Sequence, residues 1–89
     1  MTHLAVDHQG QEHELILYKY DSCPYCRRVM YQVEQMAINI PYKDTLKEPE
    51  ARRELIRIGG KSQVPCLIID GKPLYESRDI IHYLKQNYS

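Results

Sequence analysis

Cys23 and Cys26, in Cys23-Pro24-Tyr25-Cys26, are the residues of this chain whose types and spacing point most directly to chemistry. They follow a short apolar run, Leu15-Ile16-Leu17-Tyr18, that suits a buried strand, and a polar turn at Asp21-Ser22 that leads into a helix. Pro24 fits the first helical position, because the N–H it lacks would have no helical partner there. A thiol at a helix start faces unpaired backbone N–H groups and the positive end of the helix dipole, which favour the thiolate. Arg27 and Arg28 add positive charge nearby. On this reading Cys23, the outer residue, is exposed and nucleophilic. Cys26, about one turn inward, is more buried and resolves the mixed disulfide that Cys23 forms. The competing chemistry is half of a zinc site. A closed structural zinc site takes four ligands, and the chain has neither a second C-x-x-C nor an H-x-x-x-H pair, so no metal is expected.

Two further segments could hold a substrate beside these thiols. Gln63-Val64-Pro65 stands immediately before an apolar run, and a proline at a strand start removes no ladder bond. With a cis Val64–Pro65 peptide, the Val64 backbone groups would face the thiol loop and pair with an extended, peptide-like ligand. A trans proline simply starting the strand is the commoner arrangement. In Glu76-Ser77-Arg78-Asp79, backbone N–H groups and the Ser77 hydroxyl at a helix start would hold a carboxylate, and Asp79 an ammonium. The γ-glutamyl end of glutathione carries both charges. The plainer reading makes Ser77 a helix cap and Asp79 a first-turn acid. Cys66, the third cysteine, reads as a small core hydrophobe. Gly59-Gly60-Lys61 reads as a helix stop and a loop, with Lys61 in reach of a substrate carboxylate.

The elements that must position these residues follow from periodicity. Apolar residues at Cys26, Val29, Met30, Val33, Met36 and Ala37 mark one face of a helix over 24–37. Residues 39–44 form a weaker second strand. A second helix runs over 49–58, with Pro49 near its start and the two glycines at its end. Residues 66–69 and 73–75 are strands joined by the hairpin turn Asp70-Gly71. A last helix after Ser77 carries Ile80, Ile81 and Leu84. The order strand–helix–strand–helix–strand–strand–helix predicts an α/β fold, a four-stranded mixed sheet flanked by helices. Residues 1–13 read as a polar N-terminal tail and 14–89 as one domain. The chain of 89 residues has 12 basic and 12 acidic side chains, so the basic excess that nucleic acid or an anionic membrane asks for is missing. No apolar run approaches the ~20 residues of a membrane span, and residues 1–14 lack the apolar region of a secretory signal. An odd number of cysteines argues against a closed disulfide framework and for a reduced, cytoplasmic setting.

With these motifs in place, the chain from about Leu15 to Leu84 resembles a glutaredoxin. The resemblance rests on C-P-Y-C at 23–26, V-P at 64–65 and E-S-R-D at 76–79, in that order. It is most similar to the branch whose thioredoxin-like domain resembles the N-terminal domain of glutathione transferases. The resemblance implies a thioredoxin fold with a cis Pro65, and glutathione as reductant and mixed-disulfide partner rather than as a tightly bound cofactor. It implies that Cys23 attacks and Cys26 resolves protein disulfides. Tyr25, Val64, Pro65, Ser77 and Asp79 would line a glutathione groove, with Gln63 and Glu76 close by. The chain departs from many members at Tyr20, where they carry a lysine, and Lys19 should point to the other side of its strand by alternation. The expected partners are glutathione and disulfide-containing or glutathionylated proteins, with the chain a monomer. Two alternatives stand beside this reading: a dimer holding an iron–sulfur cluster through Cys23 and glutathione, and an electron donor served by thioredoxin reductase.

Overall fold

The strand that leads to the thiols organises the sheet. In the computed structural model, which describes residues 4–88, this strand is β2 (Glu12–Lys19). It begins at Glu12 and is longer than the apolar run alone suggested, because a strand before it pairs with its polar half. That strand is β1 (Leu4–Val6), antiparallel to β2 with Ala5 opposite His13. Of the expected tail, Leu4–Val6 and residues 12–13 therefore belong to the sheet, 7–11 form the turn between them and 1–3 lie outside the described residues; the sheet has five strands instead of four. The same β2 edge is shared: Leu17–Lys19 pair in parallel with β3 (Tyr42–Asp44). On the other edge, β4 (Cys66–Ile69) runs antiparallel with Leu17 opposite Leu67, and β5 (Lys72–Tyr75) follows β4 through a hairpin. Asp70 and Gly71 both have positive φ, +50° and +85°, the backbone that a two-residue hairpin turn matched to strand twist demands.

Three helices cover the two faces. The first, α1 (Pro24–Gln35), and the last, α3 (Ser77–Tyr88), pack on one face over Leu15, Leu17 and Leu67, burying Val29, Val33, Ile80 and Leu84. The second helix, α2 (Pro49–Gly59), packs on the other, where Ala51 and Leu55 meet Tyr18, Cys66 and Ile68. Strand alternation accounts for the split, since Leu17 and Tyr18 send their side chains to opposite faces. Thioredoxin-like α/β architecture is the result. Among the described residues no helix is long and apolar enough to cross a membrane.

α1 ends two residues short of the expected boundary. Ala37, counted above as part of its apolar face, is instead exposed in the left-handed region at φ +55°, with Ile38 N–H donating to the Val33 carbonyl. An L-residue there costs about 1–2 kcal/mol, and glycine's extra freedom in the unfolded chain offsets part of the relief. Ala37→Gly is accordingly expected to raise stability by about 0.5–1 kcal/mol in a urea melt.

His13 fastens the N-terminal hairpin to the far end of the sheet. Its Nε2 lies 3.0 Å from an Asp7 carboxylate oxygen and its Nδ1 2.7 Å from one of Asp70. Asp7 also accepts from Gln9 and Gln11 N–H groups, and Asp70 from Glu14 N–H. A neutral imidazole has one N–H and cannot donate to both carboxylates, so the geometry requires the imidazolium. Asp70 first, then Asp7, raises the His13 pKa above its ordinary 6.5, while His13 itself, then the Glu14 N–H and last the Lys72 ammonium, hold Asp70 below the usual carboxylate range. A group whose pKa is raised on folding contributes fully below about 6.5 and loses that contribution as pH climbs through the folded value. The urea midpoint is therefore expected to fall as pH rises above 6.5. In His13→Gln that fall should be missing, which chemical denaturation between pH 5.5 and 8 would reveal.

Candidate active site

The turn between β2 and α1 is tied down before it reaches the thiols. Asp21 receives Lys19 Nζ at 2.6 Å and Lys47 Nζ at 3.0 Å, and these two ammonium groups push its pKa down to about 2. Lys19 reaches Asp44 at 3.5 Å as well, and Arg27 Nε donates to the Asp21 carbonyl. Lys19 shares the strand face of Leu17, as alternation requires. That is the face α1 covers, so its charge is felt at the Cys26 sulfur.

Cys23 caps α1. Its backbone is extended (φ −81°, ψ 117°), Pro24 takes the first helical position, and Cys26 N–H donates to Cys23 Sγ at 3.3 Å. This geometry corrects one expectation. Cys23 is 4% exposed rather than open, because a capping side chain turns back over the first helical turn instead of outward. Cys26 is fully buried. Burial, and next the Cys23 sulfur beside it, pushes the Cys26 thiol up to about 12, so it rests protonated at neutral pH. Cys66 is also fully buried, in the α2-side cluster, and burial raises its thiol to about 11. All three cysteines are free thiols.

Beside the cap lies a groove of about 630 Å³ lined by Tyr25, Arg28, Gln63, Val64, Pro65, Glu76, Ser77 and Arg78. Three distant segments of the sequence converge here, bringing Tyr25, Gln63, Val64, Pro65, Glu76 and Ser77 to one groove. The Val64–Pro65 peptide is cis. Gln63 Nε2 donates to Glu76 Oε1 at 3.3 Å, joining the two walls, and Tyr25 is 58% exposed on the α1 side. Asp79 is the expected residue that the structure leaves out of the lining; it lies exposed on the first turn of α3. The helix begins at Ser77, and the Glu76 carbonyl accepts from Ile80 N–H, so Glu76 and not Ser77 occupies the cap position. Glu76 holds φ +70°, a conformation costing an L-residue on the order of 1–3 kcal/mol. Lys61 does not line the groove; its ammonium sits 4.4 Å above the Tyr75 ring.

Arg28 and Arg78 are lining residues to which the sequence reading gave no binding role. Arg28 stands three residues beyond Tyr25, hence on the same helix face, and its guanidinium rests 5.8 Å from the Tyr25 ring. Helical spacing would have found Arg28 once Tyr25 was placed. With Glu76 as the one acid in the lining, the groove suits a ligand carrying carboxylates. Among the described residues no group of three or more His, Cys, Asp or Glu side chains is placed to hold a metal ion.

The sequence profile of the glutathione S-transferase N-terminal domain matches residues 17–89. The chain belongs to that family. Solved structures agree with the assignment. An epsilon-class glutathione S-transferase from the housefly Musca domestica is 25% identical, with a TM-score of 0.70, over 84% of this chain and 35% of the transferase. Glutathione transferase Omega 3C from Trametes versicolor is 28% identical, with a TM-score of 0.70, over 81% of this chain and 32% of its own. This chain therefore spans about a third of the length of these transferases. A thioredoxin-like protein at 23% identity and a TM-score of 0.71, covered over 96% of its length and 82% of this chain, shares the fold. No curated protein matches the sequence. The groove described above is thus carried by a transferase-type N-terminal domain whose first helix is capped by a cysteine.

Proposed function

We propose that this domain is a glutathione-dependent thiol–disulfide oxidoreductase of the glutaredoxin type, acting in the cytoplasm on glutathionylated or disulfide-bonded proteins. The observation that carries the reading is Cys23 capping α1, with Cys26 behind it, at the edge of a groove lined by Tyr25, Gln63–Pro65 and Glu76–Ser77. Cys23 Sγ, as thiolate, attacks the glutathione sulfur of a mixed disulfide. That S–S bond breaks, the protein sulfur leaves with the electron pair and takes a proton, and glutathione stays disulfide-bonded to Cys23. A second glutathione thiolate then displaces Cys23 and yields oxidised glutathione. With a protein disulfide, Cys26 performs the displacement. Its proton is held at a pKa of about 12 and passes to the departing thiolate, leaving a Cys23–Cys26 disulfide that glutathione reduces. The first turn of α3 and Ser77 receive the γ-glutamyl carboxylate in this reading, and the arginines supply the balance of positive charge.

The deciding assay is turnover of a small glutathione mixed disulfide with glutathione as reductant. Turnover well above the spontaneous exchange rate is the expected result, and turnover at the spontaneous rate would falsify the reading. A second reading, conjugation of glutathione to an electrophile, is favoured by the family and by the transferases the chain is similar to. Conjugation of an aryl halide without disulfide reduction would establish it in place of the first.

A further inference from the structure

Tyr75 stands between the two walls of the groove without lining it. It ends β5, and Glu76 and Ser77, the next two residues, form one wall. The other wall, residues 63–65, follows the last turn of α2. The Tyr75 side chain reaches from the first wall to the end of α2, from which the chain runs on to the second. Its hydroxyl is buried against Gly59, where a Cβ would collide with it, and Lys61 covers its ring. Its ring packs in the α2-side cluster with Val64, and Cys66 faces it in the β4–β5 register.

Two details point to the ring's reach rather than its hydroxyl. The buried hydroxyl has no hydrogen-bond partner of good geometry, its polar neighbour being the Cys66 thiol, a weak partner. Gly59, unlike Gly60 at φ +81°, does not adopt positive φ, so its missing side chain is explained by the space the phenol fills. Glu76, held at φ +70°, needs support on both sides. Ile80 N–H binds its carbonyl and Gln63 its carboxylate, while Tyr75 anchors the residue before it.

We propose that Tyr75, seated against Gly59, is a positioning residue that sets the spacing of the glutathione groove by fixing Glu76 and Ser77 against the 61–65 loop; this rests on the function proposed above. The test is the glutathione dependence of mixed-disulfide reduction by the full chain, with KM and kcat separated, beside a thermal melt of each variant. Tyr75→Phe keeps the ring and should leave KM for glutathione within about twofold of wild type, with unchanged or higher stability. Tyr75→Leu, and independently Gly59→Ala, should raise that KM about fivefold or more while kcat at saturating glutathione stays within about twofold. A Tyr75 that merely stabilised the fold would lower the melting temperature and leave KM alone, and that outcome overturns the proposal. So does Tyr75→Phe raising KM as much as Tyr75→Leu, which would make the hydroxyl a binding group. If Tyr75→Leu does not fold, Gly59→Ala decides by the same criterion. A wild type that neither uses nor binds glutathione, by calorimetry, overturns both this proposal and the functional reading. A glutathione-dependent wild type whose KM the variants leave unmoved overturns this one alone.

Discussion

Cys23→Ser is expected to lose glutathione-dependent reduction down to the uncatalysed background, while Cys26→Ser keeps reduction of small glutathione mixed disulfides within about tenfold of wild type, or about 1.4 kcal/mol in barrier. The asymmetry follows from where the sulfurs sit. Cys23 caps α1 two residues before the groove-lining Tyr25, with the Cys26 N–H donating to its sulfur, and it is the thiol assigned to form the mixed disulfide. Cys26 is fully buried and protonated, so it cannot stand in as the attacking group. It is needed only when a protein, rather than glutathione, remains on Cys23. Cys26→Ser should therefore fail on a protein disulfide under the same conditions, and the two substrates assayed side by side separate the roles. Alkylation adds an independent check. Brief iodoacetamide treatment of the native protein at neutral pH should modify Cys23 first and slowly, because it keeps a small exposure of 4% where Cys26 and Cys66 have none and should react only after unfolding, as intact mass would show. Native modification of Cys66 would contradict its burial.

Leu17→Ala is expected to cost about 3–5 kcal/mol, the largest stability loss of any single truncation away from the thiols. Leu17 has no exposure and lies at the crossing of the sheet, opposite Tyr42 of β3 and Leu67 of β4, with Val29, Val33, Ile80 and Leu84 in the same cluster. Removing its side chain leaves a cavity that three layers of structure would have to collapse to fill. In a domain whose total stability is on the order of 5–15 kcal/mol, that loss takes a large share. A urea melt should show a much lower midpoint. An unchanged midpoint would mean that Leu17 is not at the centre of the α1–α3 core.

Local chemistry made much of this protein legible in its sequence. Pro24 at a helix start, Asp70-Gly71 between two short strands, and Gly60 after α2 each select a backbone state within a few residues, and the structure has all three where expected. Alternation along Leu15–Lys19 and the helical spacing of Val29, Val33, Ile80 and Leu84 named the residues of the core, because burial of one face imposes those periods. The three segments at 23–26, 63–65 and 76–79 were found as motifs from their residue types and short spacing.

Their assembly was decided by long-range packing. β1 is three apolar residues, too short to carry an alternation of its own; it becomes a strand because the first half of β2 has a free edge once β3 has paired with the second half. The burial of Cys23 depends on the sulfur turning back to the Cys26 N–H. Glu76, at φ +70°, took the cap position that Ser77 was expected to fill, its carbonyl accepting from Ile80 N–H where β5 turns into α3. Asp79 lies outside the groove and Arg78 inside it. Residue types and spacing thus determined which groups this protein can bring to a reaction. Which of them share one groove was set by the packing of α2 and β5, whose contacts join residues far apart in the chain and leave no local period to read.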